Sequence, residues 1–237
     1  MRAKSGSLAD AEASEQGVEH VLGGGATDQA VEGKARAAQF LGHQQRIGKT
    51  LRRLKRLRGL AEPAERVRAL ARAKGCTAED ITVCILERPR HEEMIEEVRS
   101  TGAAIRLITD GDVAGVIHCA EAEITGIDMY MGSGGAPEGV LAAAALKCMG
   151  GQFYGKLLFR NDDEKARARK AGITNFDRVY TRDDLVRGDV IFAATGVTQG
   201  SILRGIERAP GHITTETILM RSKTGSIRRM SYRSPMR

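Results

Sequence analysis

Three short polar stretches carry residue types that could do chemistry together: ERPRH at residues 87–91, DGD at 110–112 and GSGGAPEG at 132–139. In the first, Arg88 and Arg90 flank Pro89 at the start of a helix-like run. Guanidinium forks beside free backbone N–H groups at a helix N-terminus grip phosphate, although the same arginines could simply pair with Glu92 and Glu93 on an exposed turn. In the second, Asp110 and Asp112 flank Gly111. Hard carboxylate oxygens suit Mg²⁺ or Mn²⁺, or accept from sugar hydroxyls, and Asp112 could equally be a helix N-cap. In the third, glycines permit close backbone approach, Pro137 suits a first helical turn, and Glu138 could complement the helix dipole or ligate a cation. The third glycine of a dinucleotide fingerprint would fall at Pro137, and no Lys-Ser/Thr completes a P-loop, so a nucleotide loop is not expected. A fourth stretch, ATGVTQGS at 194–201, either lines the same crevice or is a plain turn.

These stretches follow apolar runs that read as strands. ITVCIL (81–86), AIRLIT (104–109), GIDMYM (126–131), FYGKLLF (153–159) and DVIFAAT (189–195) alternate with helical patterns, among them PEGVLAAAALKCM (137–149). That order predicts a mainly parallel, helix-covered sheet whose sites lie at strand carboxyl ends. ITTETILMRS and GSIRRMSY read as a terminal hairpin turning at Thr224-Gly225. Arginines, carboxylates and a glycine loop at neighbouring strand ends suit metal-assisted phosphoryl transfer to water, which needs charge neutralisation and an activated water. No single side chain is assigned as catalytic.

Residues 1–60 read differently. Triple glycine at 23–25, many Ala and Gln and no strand-like run predict a leader that is disordered or a basic helix. RIGKTLRRLKRLRGL (46–60) spaces Ile47, Leu51, Leu54 and Leu57 helically among seven basic residues. The net charge of +7 raises nucleic acid as a partner. However, residues 1–60 hold 11 basic and 6 acidic side chains, and residues 221–237 hold 6 basic and none acidic, which leaves the body between them net acidic. A nucleic-acid-binding face is therefore not expected. Neither a membrane span nor a secretory signal is legible, so a soluble cytoplasmic protein is expected. The four cysteines, Cys76, Cys84, Cys119 and Cys148, have no zinc spacing and read as reduced, mostly buried residues.

Taken together, ERPRH, RLITDGDVAGVI, GIDMYMGSGGAPEGVLAAAALKCMGGQFYGKLLFRNDDE, FAATGVTQGS and TTETILMRSKTGSIR resemble the class II fructose-1,6-bisphosphatase family, including members that also act on sedoheptulose 1,7-bisphosphate. The resemblance runs in order over residues 61–229. It implies an α/β layered sugar-phosphatase fold, here its C-terminal half, with a mostly parallel helix-covered sheet and a C-terminal β-hairpin. It implies removal of the 1-phosphate of fructose 1,6-bisphosphate with Mn²⁺ or Mg²⁺, in gluconeogenesis or carbon fixation, by a homo-oligomer. It further implies that Arg88, Pro89, Arg90, Asp110, Gly111, Asp112 and Gly135 bind substrate and that Glu138 ligates metal; at Arg88 some members have Lys. In the family an N-terminal half supplies most metal ligands, through a Gly-Glu-Gly-Glu stretch and an Asp-Pro-x-Asp-Gly-Thr stretch. Neither occurs in residues 1–60, so residues 61–237 are expected to be the C-terminal portion behind an unrelated leader, with little turnover of their own. The competing expectation is a non-catalytic protein that binds sugar phosphates, or nucleic acid through its basic ends.

Overall fold

ITVCIL and GIDMYM, apolar on both faces, become neighbouring strands at the buried centre of a sheet. The computed structural model describes residues 17–23 and 62–236. Strand β2 (Thr82–Leu86) lies between β3 (Ala104–Ile108) and β4 (Met129–Gly135), parallel to both. Beyond β4 the sheet continues through β1 (Gly17–Gly23), β5 (Tyr154–Leu158) and β6 (Val179–Thr181), each pair antiparallel. Because β1 reverses between β4 and β5, the strands β3, β2, β4 and β5 share one direction.

Helices cover both faces of this sheet. On one, α1 (Pro63–Lys74) and α2 (Glu92–Arg99) bury Val67, Leu70, Ile95 and Val98 against Val83, Ile85, Met129 and Met131. Pro63 opens α1 and Gly75, in the left-handed region at φ 79°, closes it. On the other face lie α3 (Asp112–Ala120), the single turn α4 (Ala122–Thr125) and α5 (Ala136–Met149). Their Val116, Ile117, Ala142, Ala143 and Leu146 pack on Cys84 and Tyr130. Each fully buried aliphatic side chain of this kind contributes about 1.5–3 kcal/mol.

A second sheet explains why α5 is apolar all round. Strands β7 (Ile191–Thr195), β9 (His212–Arg221) and β10 (Ser226–Pro235) form an antiparallel layer, with β8 (Glu207–Ala209) paired to β9. Phe192, Ile218 and Met220 on its inner face join the core that α3 and α5 make with the first sheet. The result is a helix–sheet–helix–sheet stack, the α/β layered architecture expected, with α5 enclosed between two sheets. Helix α6 (Asp162–Lys170) and the turn α7 (Arg182–Leu185) link β5, β6 and β7. The terminal hairpin forms as read, turning through residues 222–225 with Gly225 at φ 62°.

Two details differ from the sequence expectation. DVIFAAT reads as one more strand of the α/β alternation, yet β7 pairs antiparallel with β9 in the second sheet. Its apolar residues alternate, Phe192 buried and Ile191 exposed, which is the signature of a half-covered strand. Residues 1–45 read as strand-free, yet Gly17–Gly23 lies in the first sheet and pairs with the glycine segment of β4, Gly17 to His20 opposite Gly135 to Gly132. Both partners of β1 are more than a hundred residues away, so local pattern carried no sign of them. The pairing also extends β4 through residues that read as loop. The basic run 46–60 and the junction near residue 60 lie outside the described residues. Among the described residues no helix is long and apolar enough to cross a membrane.

Candidate functional site

Strands β2, β3 and β4 all run toward one edge of the sheet, and at that edge each hands over to a helix. The three polar stretches therefore meet there, as the strand-end rule for α/β sheets requires. After β2 comes a 3-10 turn, Pro89–His91, and then α2. After β3 comes Asp110, followed by Gly111 as the residue before α3. After β4, Gly135 opens α5.

Gly111 sits at φ 88°, so the turn into α3 uses a conformation that residues with a Cβ rarely adopt. Gly111, and not Asp112, takes the N-cap position. Asp112 becomes the first residue of α3 and is buried, which frees its carboxylate to lie against the backbone of β4. A Cβ on Gly134 would stand 2.1 Å from Asp112 Oδ2 and 3.5 Å from Glu138 Oε2. The two carboxylates thus converge on one face of a glycine that no other residue could replace without displacing Asp112. Burial raises the Asp112 carboxyl above the ordinary range and the charge of Glu138 raises it further, while Arg90 acts in the opposite direction. Glu138 is exposed, and its Oε2 accepts from the Gly135 N–H at 3.0 Å, a capping bond that leaves its other oxygen for a cation.

Arg90 does not pair with Glu92 or Glu93. Its Nε and Nη2 donate to the Ser133 carbonyl at 3.2 and 2.7 Å, and Nε also reaches Ser133 Oγ at 3.1 Å. Arg90 therefore braces the glycine segment and keeps Nη1 for an anion. Beside it, His91 is buried and forms a second brace. The Ser133 N–H donates to Nε2 at 2.9 Å, so the ring proton sits on Nδ1 and is donated to the Leu86 carbonyl at 2.7 Å. Ser133 Oγ lies 3.0 Å from the same Nε2. Burial, reinforced by the charge of Arg90, holds the imidazole below its ordinary pKa, which favours this neutral form.

The remaining candidates lie differently. Arg88 donates to the Glu87 carbonyl at 2.9 Å and, with Pro89, lines a shallow depression of about 440 Å³ shared with Glu92, Glu96 and Arg99 of α2. Asp110 is exposed, its Oδ1 accepting from the Gly111 N–H at 2.8 Å. The stretch 194–201 folds back on residues 203–206, through Gly200 N to the Leu203 carbonyl and Ile206 N to the Val197 carbonyl. It also meets His118, near the end of α3 away from Asp112, so it forms a turn there and does not join the carboxylates. The group brought together is Arg90, His91, Asp112, Ser133, Gly134, Gly135 and Glu138. His91 and Ser133 were not singled out from sequence, although both sit inside the quoted stretches, His91 next to Arg90 and Ser133 between two glycines. Among the described residues no three His, Cys, Asp or Glu side chains gather as a ready metal cage.

Comparison with known proteins identifies the scaffold. The family described as bacterial fructose-1,6-bisphosphatase, glpX-encoded, matches residues 48–234. Curated relatives include the D-fructose 1,6-bisphosphatase class 2/sedoheptulose 1,7-bisphosphatase of Microcystis aeruginosa and that of Crocosphaera subtropica, each 38% identical over 177 residues, covering 69% of this chain and 51% of the relative. The protein of that name from Synechocystis is 37% identical over the same span. The chain spans about half the length of these relatives. The family match covers all three polar stretches and the described strands from β2 to β9 with nearly all of β10, and shows that the chain belongs to the glpX-type bacterial fructose-1,6-bisphosphatase family.

Proposed function

We propose that this chain binds a ketose bisphosphate at the β2–β3–β4 edge and contributes to hydrolysis of the 1-phosphate of fructose 1,6-bisphosphate, with sedoheptulose 1,7-bisphosphate as a second substrate. The observation that supports this most is the convergence of Asp112 and Glu138 on Gly134, with the Arg90 guanidinium fixed beside them through Ser133. Acceptors for sugar hydroxyls, a donor for phosphate and a hard oxygen for a cation occur together there. A place in gluconeogenesis or carbon fixation follows from that substrate. The cytoplasm, where its four free thiols stay reduced, is the compartment that fits.

In this reading Arg88 and Arg90 neutralise phosphate charge, Arg90 from a fixed orientation because two of its nitrogens are already held. Asp110 and Asp112 accept from sugar hydroxyls, and Gly111 and Gly135 let backbone approach the ligand. Glu138 presents its uncapped oxygen to Mg²⁺ or Mn²⁺. A bound divalent ion supplies charge neutralisation and a more acidic water. One exposed carboxylate suits a hard cation, but full coordination needs donors beyond the described residues.

The experiment is a pair of calorimetric titrations, Mn²⁺ and fructose 6-phosphate, into the wild type, Glu138→Gln and Asp112→Asn, together with phosphate release from fructose 1,6-bisphosphate. The expected result is sugar-phosphate binding that Asp112→Asn abolishes and Mn²⁺ binding that Glu138→Gln weakens. Binding without phosphate release supports the second reading, a sugar-phosphate binder. Tight RNA binding with a steep salt dependence and no response to the sugar phosphate refutes both.

A further inference from the structure

Tyr130, Gly132 and Gly134 alternate along β4 and so share the face that looks toward α3 and α5. The tyrosine ring lies along that face, in space made by two glycines. A Cβ on Gly115 of α3 would stand 2.8 Å from ring carbon Cδ2, and one on Gly132 would stand 3.1 Å from the hydroxyl oxygen. The hydroxyl thus points up the strand toward the segment on which Asp112 rests, with His91 Cε1 3.5 Å from the same Gly132 position. Tyr130 is fully buried, and its hydroxyl is the one buried side-chain polar atom without a hydrogen-bond partner among the described residues. Phenylalanine would fill the same space without leaving a donor unpaired, so packing alone does not explain the hydroxyl.

We propose that Tyr130 is a positioning residue that acts through Asp112, its hydroxyl donating to the inner side of the Asp112 carboxylate when the outer side engages a sugar hydroxyl. The unpaired donor is held in reserve by the fold and satisfied only in the liganded site, a pattern expected where function and not stability retains a group. Burial, with the nearby Asp112 charge, pushes the phenol far above its ordinary pKa, so it remains a donor throughout the neutral range. The inference rests on the sugar-phosphate reading of the site.

Tyr130→Phe separates the possibilities, because removing an unpaired hydroxyl leaves the core intact. The expected result is an unchanged or higher Tm with affinity for fructose 6-phosphate about tenfold weaker, the loss of one hydrogen bond made only with ligand bound. In wild-type protein labelled at tyrosine ¹³Cζ, the Tyr130 resonance is expected to move on adding fructose 6-phosphate, whatever the stability of the variant. Wild-type binding with a stationary Tyr130 resonance, or with Tyr130→Phe within twofold of wild type, overturns the positioning role and leaves the functional reading intact. No binding by the wild type overturns both.

Discussion

His91→Phe removes the brace between β2 and the glycine segment while keeping a ring of similar size. In the wild type the imidazole satisfies the Leu86 carbonyl at 2.7 Å and the Ser133 N–H at 2.9 Å. Phenylalanine leaves both backbone groups unpaired. A buried polar group without a partner costs about 1–3 kcal/mol, so two would cost roughly 2–6. Ser133 is only half-buried and water can relieve its N–H, which narrows the expected loss to about 2–4 kcal/mol. Urea denaturation followed by circular dichroism measures this as a lower midpoint at unchanged slope. Hydrogen exchange should localise the loss to the Ser133 amide. His91→Gln, whose side-chain oxygen can accept from Ser133, should recover part of it. A destabilisation below about 0.5 kcal/mol for His91→Phe would refute the argument that this ring holds the glycine segment.

The pH dependence of stability carries the same signature. A histidine whose folded pKa is lowered takes its proton first in the unfolded chain, so its share of stability is present above the unfolded value of about 6.5 and is lost as pH falls through the lowered folded value. His91→Phe should flatten that part of a stability-against-pH curve measured by thermal melts. Asp112→Asn should raise Tm at pH 7, because the raised Asp112 carboxyl is a buried charge repelled by Glu138 that protonation or amidation relieves. Gly134→Ala places a methyl 2.1 Å from Asp112 Oδ2 and should lose about 1–3 kcal/mol in denaturant melts along with sugar-phosphate binding. Asp128 pairs with Lys74 and accepts from the Thr82 N–H at 2.9 Å at the start of the parallel strands. Asp128→Ala should destabilise by roughly 2–3 kcal/mol in the same assay, without changing Mn²⁺ affinity.

Much of this molecule could be read locally. The strands β2 to β5, the helices between them and the terminal hairpin follow from apolar runs, prolines at helix starts and glycines at helix ends, because those signals act within a few residues. Arg90, Asp112 and Glu138 stood out because charged residues just past a strand reach the exposed edge of an α/β sheet. The assignment of β7 to a second sheet and of Gly17–Gly23 to the first was decided by pairing across long sequence separations, on which local pattern is silent. The detail of the site was decided the same way. Arg90 and Ser133 are 43 residues apart, and Gly134 matters because the carboxylate of a residue from another strand end rests on it. In sequence, DGD and GSGGAPEG are separate stretches that offer a cation site or a cap. Packing of α3 against β4 buries one aspartate, leaves the other exposed, and places an unpaired tyrosine hydroxyl beneath them, because only the folded backbone determines which oxygen is desolvated and which donor lies within its reach.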